Sequence, residues 1–286
     1  MTPEGISGKP WRRKPCARQR SLTCALVILL QFVDHAQWFR NRPQLPAEPQ
    51  WALPKGFESD VFTFARVRYD SPRLYEGYGR GNYETDWPDA ELNLAYRLQQ
   101  MTSLRCHPEG QIVNLTSESL RHFPFIYMVE PGGLQFLDAE VEPLRRYLLN
   151  GGFLMMDDFW GEAEWANAAA ELKRVFPDRD PVELPIDHEI FHMVFDLKEK
   201  PQLPSIHHAA RSRGRPNESY ERRDASQVHY RAILDDQKRV MVMMCHNTDL
   251  GDGWEREGES EWYFREYSEK KGYPMGINII FYAMTH

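Results

Sequence analysis

Two adjacent acids, Asp157 and Asp158, follow the apolar run Phe153 to Met156 and precede Phe159, Trp160 and Gly161. Carboxylates at the end of a buried strand can act as general acids or bases, or ligate a hard metal ion. Neighbouring carboxylates usually diverge, one toward a pocket and one toward the free N–H groups of the next helix. Asp157 is therefore expected nearer the sheet and, if buried, hydrogen-bonded, with Arg68, Asn247 and Thr248 as partners. Asp158 is expected at the pocket, as base or metal ligand. Helix capping and loop hydrogen bonds are the alternative for both.

Three other stretches carry chemistry. His188-Glu189-Ile190-Phe191-His192 matches HExxH, which on a helix puts two imidazoles on one face with a carboxylate beside zinc-bound water. Against that reading, Pro185 and Pro201 confine any helix to a short piece, and partly buried, hydrogen-bonded histidines are the alternative. HNTDLGDGWE offers Asn247, Asp249 and Asp252 with two glycines but lacks EF-hand spacing, so a loop bent by glycine and Asx turns competes with a cation site. DSPRLYEGYGRGNYETDWPD is glycine-rich, aromatic and basic. Arg73, Arg80 and the backbone beside Gly77, Gly79 and Gly81 suit an anionic or sugar-like ligand, and Tyr75, Tyr78 and Tyr83 add aromatic area. Ligand contacts are thus expected from Arg80, Asn82, Tyr83, Glu130, Trp160, Asn247 and Asp249. No cofactor is predicted, although the motifs leave room for zinc or another divalent metal. A P-loop, a dinucleotide fingerprint and a GxSxG elbow are all missing from the sequence.

These residues need a scaffold, and 286 residues with 42% hydrophobic and 13% aromatic content supply a core. The net charge of -7 is mild and the basic residues are scattered, which argues against a nucleic-acid backbone as partner. Arg12, Arg13, Lys14, Arg18 and Arg20 precede the uncharged run Leu22 to Val33, the pattern of an export signal. Asp34 spoils the cleavage site before Ala36, so residues 22–33 are expected either to leave with the signal or to tether the protein to the inner membrane, with a buried N-terminal helix as the bland alternative. Residues 1–40 form this segment, and the Pro-rich residues 41–56 a linker, ahead of a single domain over 57–286. Cys106 and Cys245 show no metal or redox spacing and are expected as isolated packed thiols rather than a disulfide.

Within that domain apolar runs alternate with helical patterns. Strands are expected over 61–69, 111–115, 124–129 and 152–156, and helices over 88–101, 137–150 with Asp138 as N-cap, and 163–175. A β-hairpin over 228–234 and 239–245 joins the sheet, followed by a helical segment, 261–286, interrupted near Gly272-Tyr273-Pro274. Strands joined by such helices imply a parallel sheet, and ligands of open α/β sheets bind outside the carboxyl ends of the strands. Asp157, Asp158 and Glu130 all emerge there.

The segments FTFARVRYDS, GRGNYETDWPDAELNLAYRLQQMT, PFIYMVEPGG, LNGGFLMMDDFWGE, PIDHEIFHMVFDL, HNTDLGDGWE and YPMGINIIFYAMTH together resemble a bacterial family, domain of unknown function 4159, over roughly residues 58–286. The resemblance implies a flavodoxin-like fold similar to class I glutamine amidotransferases, with strand order 2-1-3-4, plus the C-terminal hairpin and helix. No activity is implied. In an amidotransferase the strand matching Phe153–Met156 ends in a nucleophilic Cys on a tight elbow, whereas here the elbow holds the two acids and no thiol, so glutamine hydrolysis through a thioester is not expected. An exported domain that binds a small molecule, glycan or protein is the leading expectation. A hydrolase using Asp157 or Asp158, or a zinc metalloprotease through His188, Glu189 and His192, is the alternative.

Overall fold

The structure is a computed structural model and describes residues 49–53, 55–56, 60–69, 71 and 82–286. All belong to one compact unit, Pro46–His286. The export-signal segment, Arg73, Tyr75, Tyr78, Arg80 and the three loop glycines lie outside the described residues. No helix among the described residues is long and apolar enough to cross a membrane.

The fold is α/β. Seven strands, β1 Ala65–Arg68, β2 Gln111–Asn114, β3 Phe125–Val129, β4 Phe153–Phe159, β5 Val182–Glu183, β6 His229–Leu234 and β7 Val240–His246, form one mixed, mostly parallel sheet. Its order is β2-β1-β3-β4-β7-β6-β5. β2, β1, β3, β4 and β7 run parallel, β6 pairs antiparallel with β7, and β5 pairs antiparallel with β6, so the hairpin attaches through its second strand. The helices are α1 Asp89–Met101, α2 Asp138–Leu149, α3 Gly161–Val175, α4 Ile206–Ser212, α5 Leu250–Glu255, α6 Glu261–Tyr263 and α7 Tyr273–Thr285.

Period-two alternation divides the central strands between two cores. Phe125, Tyr127, Val129, Phe153 and Met155 face one core with Leu94 and Leu98 of α1, Trp254 of α5 and Ile277 of α7. Ile126, Met128, Leu154 and Met156 face the other, with Leu144 and Leu148 of α2 and Ala168 and Leu172 of α3. A sheet covered on both sides explains why PFIYMV and GFLMM read as continuous apolar runs.

Several expectations change in detail. β4 continues through both acids to Phe159, because one extra residue is absorbed as a bulge: Met156 pairs with Met244 and Phe159 with His246. Asp138 is the first helical residue of α2 rather than its cap, since the Glu140 carboxylate takes the Leu137 N–H at 2.9 Å. The C-terminal segment is not broken at Gly272. It passes without a break from π-helical Phe264–Gly272 into α7, and Pro274, which has no N–H to donate, sits where the π-helical turn gives way to the α-helix. The linker is not wholly a tether either, because half-buried Trp51 donates Nε1–H to Cys106 O at 2.7 Å and packs on Tyr96 of α1. Cys106 and Cys245 are free and buried.

Candidate functional site

Backbone strain gathers at the carboxyl edge of the sheet. Of the non-glycine residues with positive φ among the described residues, Asp86 (64°), Glu130 (47°), Asp158 (56°) and Asn247 (64°) lie there, and Lys238 sits in the hairpin turn. Glu130 directly follows β3, Asp158 is the bulged residue of β4, and Asn247 directly follows β7. Left-handed backbone costs a residue with a Cβ on the order of 1 kcal/mol or more and tends to collect at functional sites. The edge is braced to hold it. Glu130 N–H donates to Asp157 O at 3.0 Å, Asn247 N–H donates to Phe159 O at 2.9 Å, and the buried Tyr69 hydroxyl reaches Val129 O and Glu130 O.

The two acids take separate sides, as the strand geometry requires. Asp157 is fully buried on the α5 side, where its Oδ2 accepts from Gly251 N at 2.9 Å and from the Tyr127 hydroxyl at 3.2 Å. These are not the partners expected from sequence: Arg68 lies over the Tyr83 ring, and Thr248 Oγ1 accepts from Leu203 N. Gly251 admits the approach because a Cβ there would lie 2.6 Å from Asp86 Oδ2 and 2.8 Å from the Tyr127 hydroxyl. Burial pushes the Asp157 carboxyl up to about 8, against the two hydrogen bonds, so it is largely protonated at neutral pH.

Asp158 is half-buried on the other side, its Oδ1 accepting from Trp160 Nε1 at 2.8 Å. Burial, and next the negative charge of Glu130, hold its carboxyl well above the usual carboxylate range. Trp160 N–H donates to Glu164 Oε2 at 2.7 Å, and Glu164 also pairs with Arg222. Asp224 closes the far side: its Oδ2 accepts from Glu162 N at 3.1 Å, and it packs so close to Gly161 that a Cβ there would come within 2.7 Å. With φ at +76°, Gly161 is required twice over.

Other expected contacts are engaged in bracing. Trp160 is buried, so it positions Asp158 instead of offering a ring face. Asn247 is spent on Gly161 N and Gln227 O. Asp249 is buried and caps α5 by accepting from Asp252 N at 2.8 Å. Asn82 and Tyr83 lie in a single 3₁₀ turn, Asn82–Glu84, with the Tyr83 ring half-buried beneath Arg68.

The HExxH segment is not an α-helix. Glu189–Phe191 is one 3₁₀ turn flanked by His188 and His192, so the rings do not share a helical face. His188 Nδ1 accepts from Ile190 N at 3.2 Å, and His192 uses Nδ1 on Asp196 at 2.6 Å and Nε2 on Ile186 O at 2.8 Å. The described side chains that gather as a potential ligand set are instead Asp86, Asp252 and Glu255.

Sequence reasoning missed the polar groups beneath this edge. Arg66, fully buried in β1, pairs with Glu91 of α1, donates to Tyr83 O and Thr85 O, and lies 5.2 Å over the Tyr127 ring. Its one sequence signal was an arginine inside the apolar run FTFARVRY. His246 is buried between Arg231 and Gly161 O, and burial lowers it to about 4, leaving a neutral ring that ties β7 to the elbow.

The family described as domain of unknown function, DUF4159, matches residues 63–284, and the chain belongs to it. No curated protein matches the chain.

Proposed function

We propose that this chain is an exported ligand-binding domain of amidotransferase-like architecture, whose elbow presents Asp158 where a thiol would stand and whose ligand is a hydroxyl-rich molecule of the glycan class. The β2-β1-β3-β4 order and the left-handed residue at the end of β4 support the architectural part. One observation carries the functional part: Asp158 sits in a strained, left-handed backbone, is held there by Trp160 Nε1, and has its pKa raised by burial and by the nearby Glu130. Two neighbouring acids, Asp158 and Glu130, offer acceptors, and a donor whenever one of them carries a proton, the complement of a sugar diol. The basic run ahead of Leu22–Val33 supports export.

A hydrolase reading uses the same elbow. Asp158, with its pKa raised, would then serve as proton donor rather than nucleophile.

Calorimetry and thermal shift against a panel of neutral oligosaccharides test the proposal. At least one member should bind, and Asp158→Ala and Glu130→Gln should each abolish it. A panel without any binder, or binding retained in both variants, contradicts it. Cleavage of the bound sugar by the wild type but not by Asp158→Asn would move the assignment to the hydrolase. For export, residues 1–50 fused to a reporter that works only outside the cytoplasm should give activity, and a reporter active only in the cytoplasm would sink it.

A further inference from the structure

On the α5 side of the edge, away from the Asp158 elbow, two carboxyl groups face one another without a cation between them. Asp86 precedes α1 and Glu255 ends α5, and their side chains come within hydrogen-bonding reach. Asp86 Oδ2 is sealed from water and has no donor. Glu255 Oε2 is equally sealed, and Arg256 Nε, 2.7 Å away, does not point along a hydrogen bond to it. Asp252 joins them, its Oδ1 accepting from Arg256 Nε at 3.1 Å and its Oδ2 from Ile206 N. One oxygen from each of the three carboxylates lies within 4.8 Å of the others.

Carboxyl groups this close, with oxygens sealed from water, need a shared proton or a cation between them. Arg66, the other cation nearby, is already paired with Glu91. Arg256, the guanidinium facing the three carboxylates, also pairs with Glu259, so negative charge is left over for a divalent ion to neutralise. The ligand set is all oxygen, which selects a hard cation over zinc or copper. Oxygens bound to one Ca²⁺ at about 2.4 Å stand at most about 4.8 Å apart, and the three carboxylates fall within that limit.

We infer that Asp86, Asp252 and Glu255 form a site for a hard divalent cation of the calcium type, which ties α5 to the loop ahead of α1. Its competitor is the proton: burial pushes Asp86 up to about 6 and Glu255 up to about 9, so without a metal the pair shares a hydrogen. The ion would lie behind Gly251 and Asp157, fixing the wall against which the elbow is built.

Full-length protein treated with chelator and titrated with CaCl₂ at neutral pH tests the inference. One equivalent should bind, and Ca²⁺ at roughly 100-fold over its Kd should raise the melting temperature by about 5–10 °C. Asp86→Asn and Glu255→Gln should each remove both signals, whereas Asp158→Ala should keep them. A wild type that neither binds nor shifts overturns the inference in favour of a shared proton, and so does a calcium response that survives in both amide variants. A response lost only in Asp158→Ala places the ion at the elbow and likewise overturns it.

Discussion

The carboxyl edge of the sheet and the His188–His192 turn are the two regions where the sequence promised chemistry, and they are built in opposite ways. In the histidine turn the donors and acceptors close locally: His192 spends both ring nitrogens within six residues of itself, and His188 caps its own 3₁₀ turn. At the carboxyl edge the backbone is strained at Glu130, Asp158 and Asn247, and Asp157 keeps a buried oxygen without a partner. The five-residue motif thus closes on itself, whereas the edge keeps an imbalance of polar groups. Strain and unpaired polar atoms persist only where surrounding structure holds them, and function is the usual reason they are kept.

The contrast can be broken most severely at Arg66, the cation beneath the acidic edge. Arg66→Ala leaves Glu91 buried and unpaired and should cost about 3–5 kcal/mol in urea unfolding, whereas the double change to methionine at both positions should recover most of it. A loss below about 1 kcal/mol for the single variant would show that the pair does not anchor the edge.

Asp157 comes next. Asp157→Ala strands the Gly251 N–H in the interior and should cost about 1–3 kcal/mol. Its titration gives a sharper test. The folded-state pKa of about 8 lies above the unfolded value of about 3.9. The folded state therefore keeps a proton that the unfolded chain releases. The stability this provides is complete below about pH 4 and is lost progressively as pH rises to about 8. Asp157→Asn cannot ionise, so it should flatten that part of the stability curve, and an unchanged slope would mean the carboxyl is already charged.

His192→Ala should have the smallest effect, about 1 kcal/mol, because the ring is partly solvated and only two hydrogen bonds are lost. Metal content measured on wild type and variant should agree. Zinc present in the first and missing from the second would return the turn to the functional side of the comparison.

What the sequence disclosed follows the range of the interactions. Elements with strong local patterns were legible: the apolar runs of β3 and β4, the spacing of Leu94 and Leu98 in α1, and the hairpin turn at Asp235–Lys238. The divergence of Asp157 and Asp158 was legible from strand alternation. Their partners were not, because Tyr127 and Gly251 reach Asp157 only through the sheet order and the packing of α5. The meeting of Asp86 with Glu255 was invisible for the same reason, and Asp86 reads in sequence as an ordinary acid at a helix start. The β4 bulge left no signal, since Asp tolerates left-handed backbone without announcing it as glycine does.

The most direct test is the titration of the Asp158 carboxyl by ¹³C NMR on aspartate-labelled protein, its resonance identified by its loss in Asp158→Asn. Asp158 should titrate well above the ordinary aspartate value of about 3.9, and Glu130→Gln should move it down by removing the neighbouring negative charge. An Asp158 that titrates near that ordinary value, and ignores the change at residue 130, would contradict a protonated acid held at the elbow for a ligand.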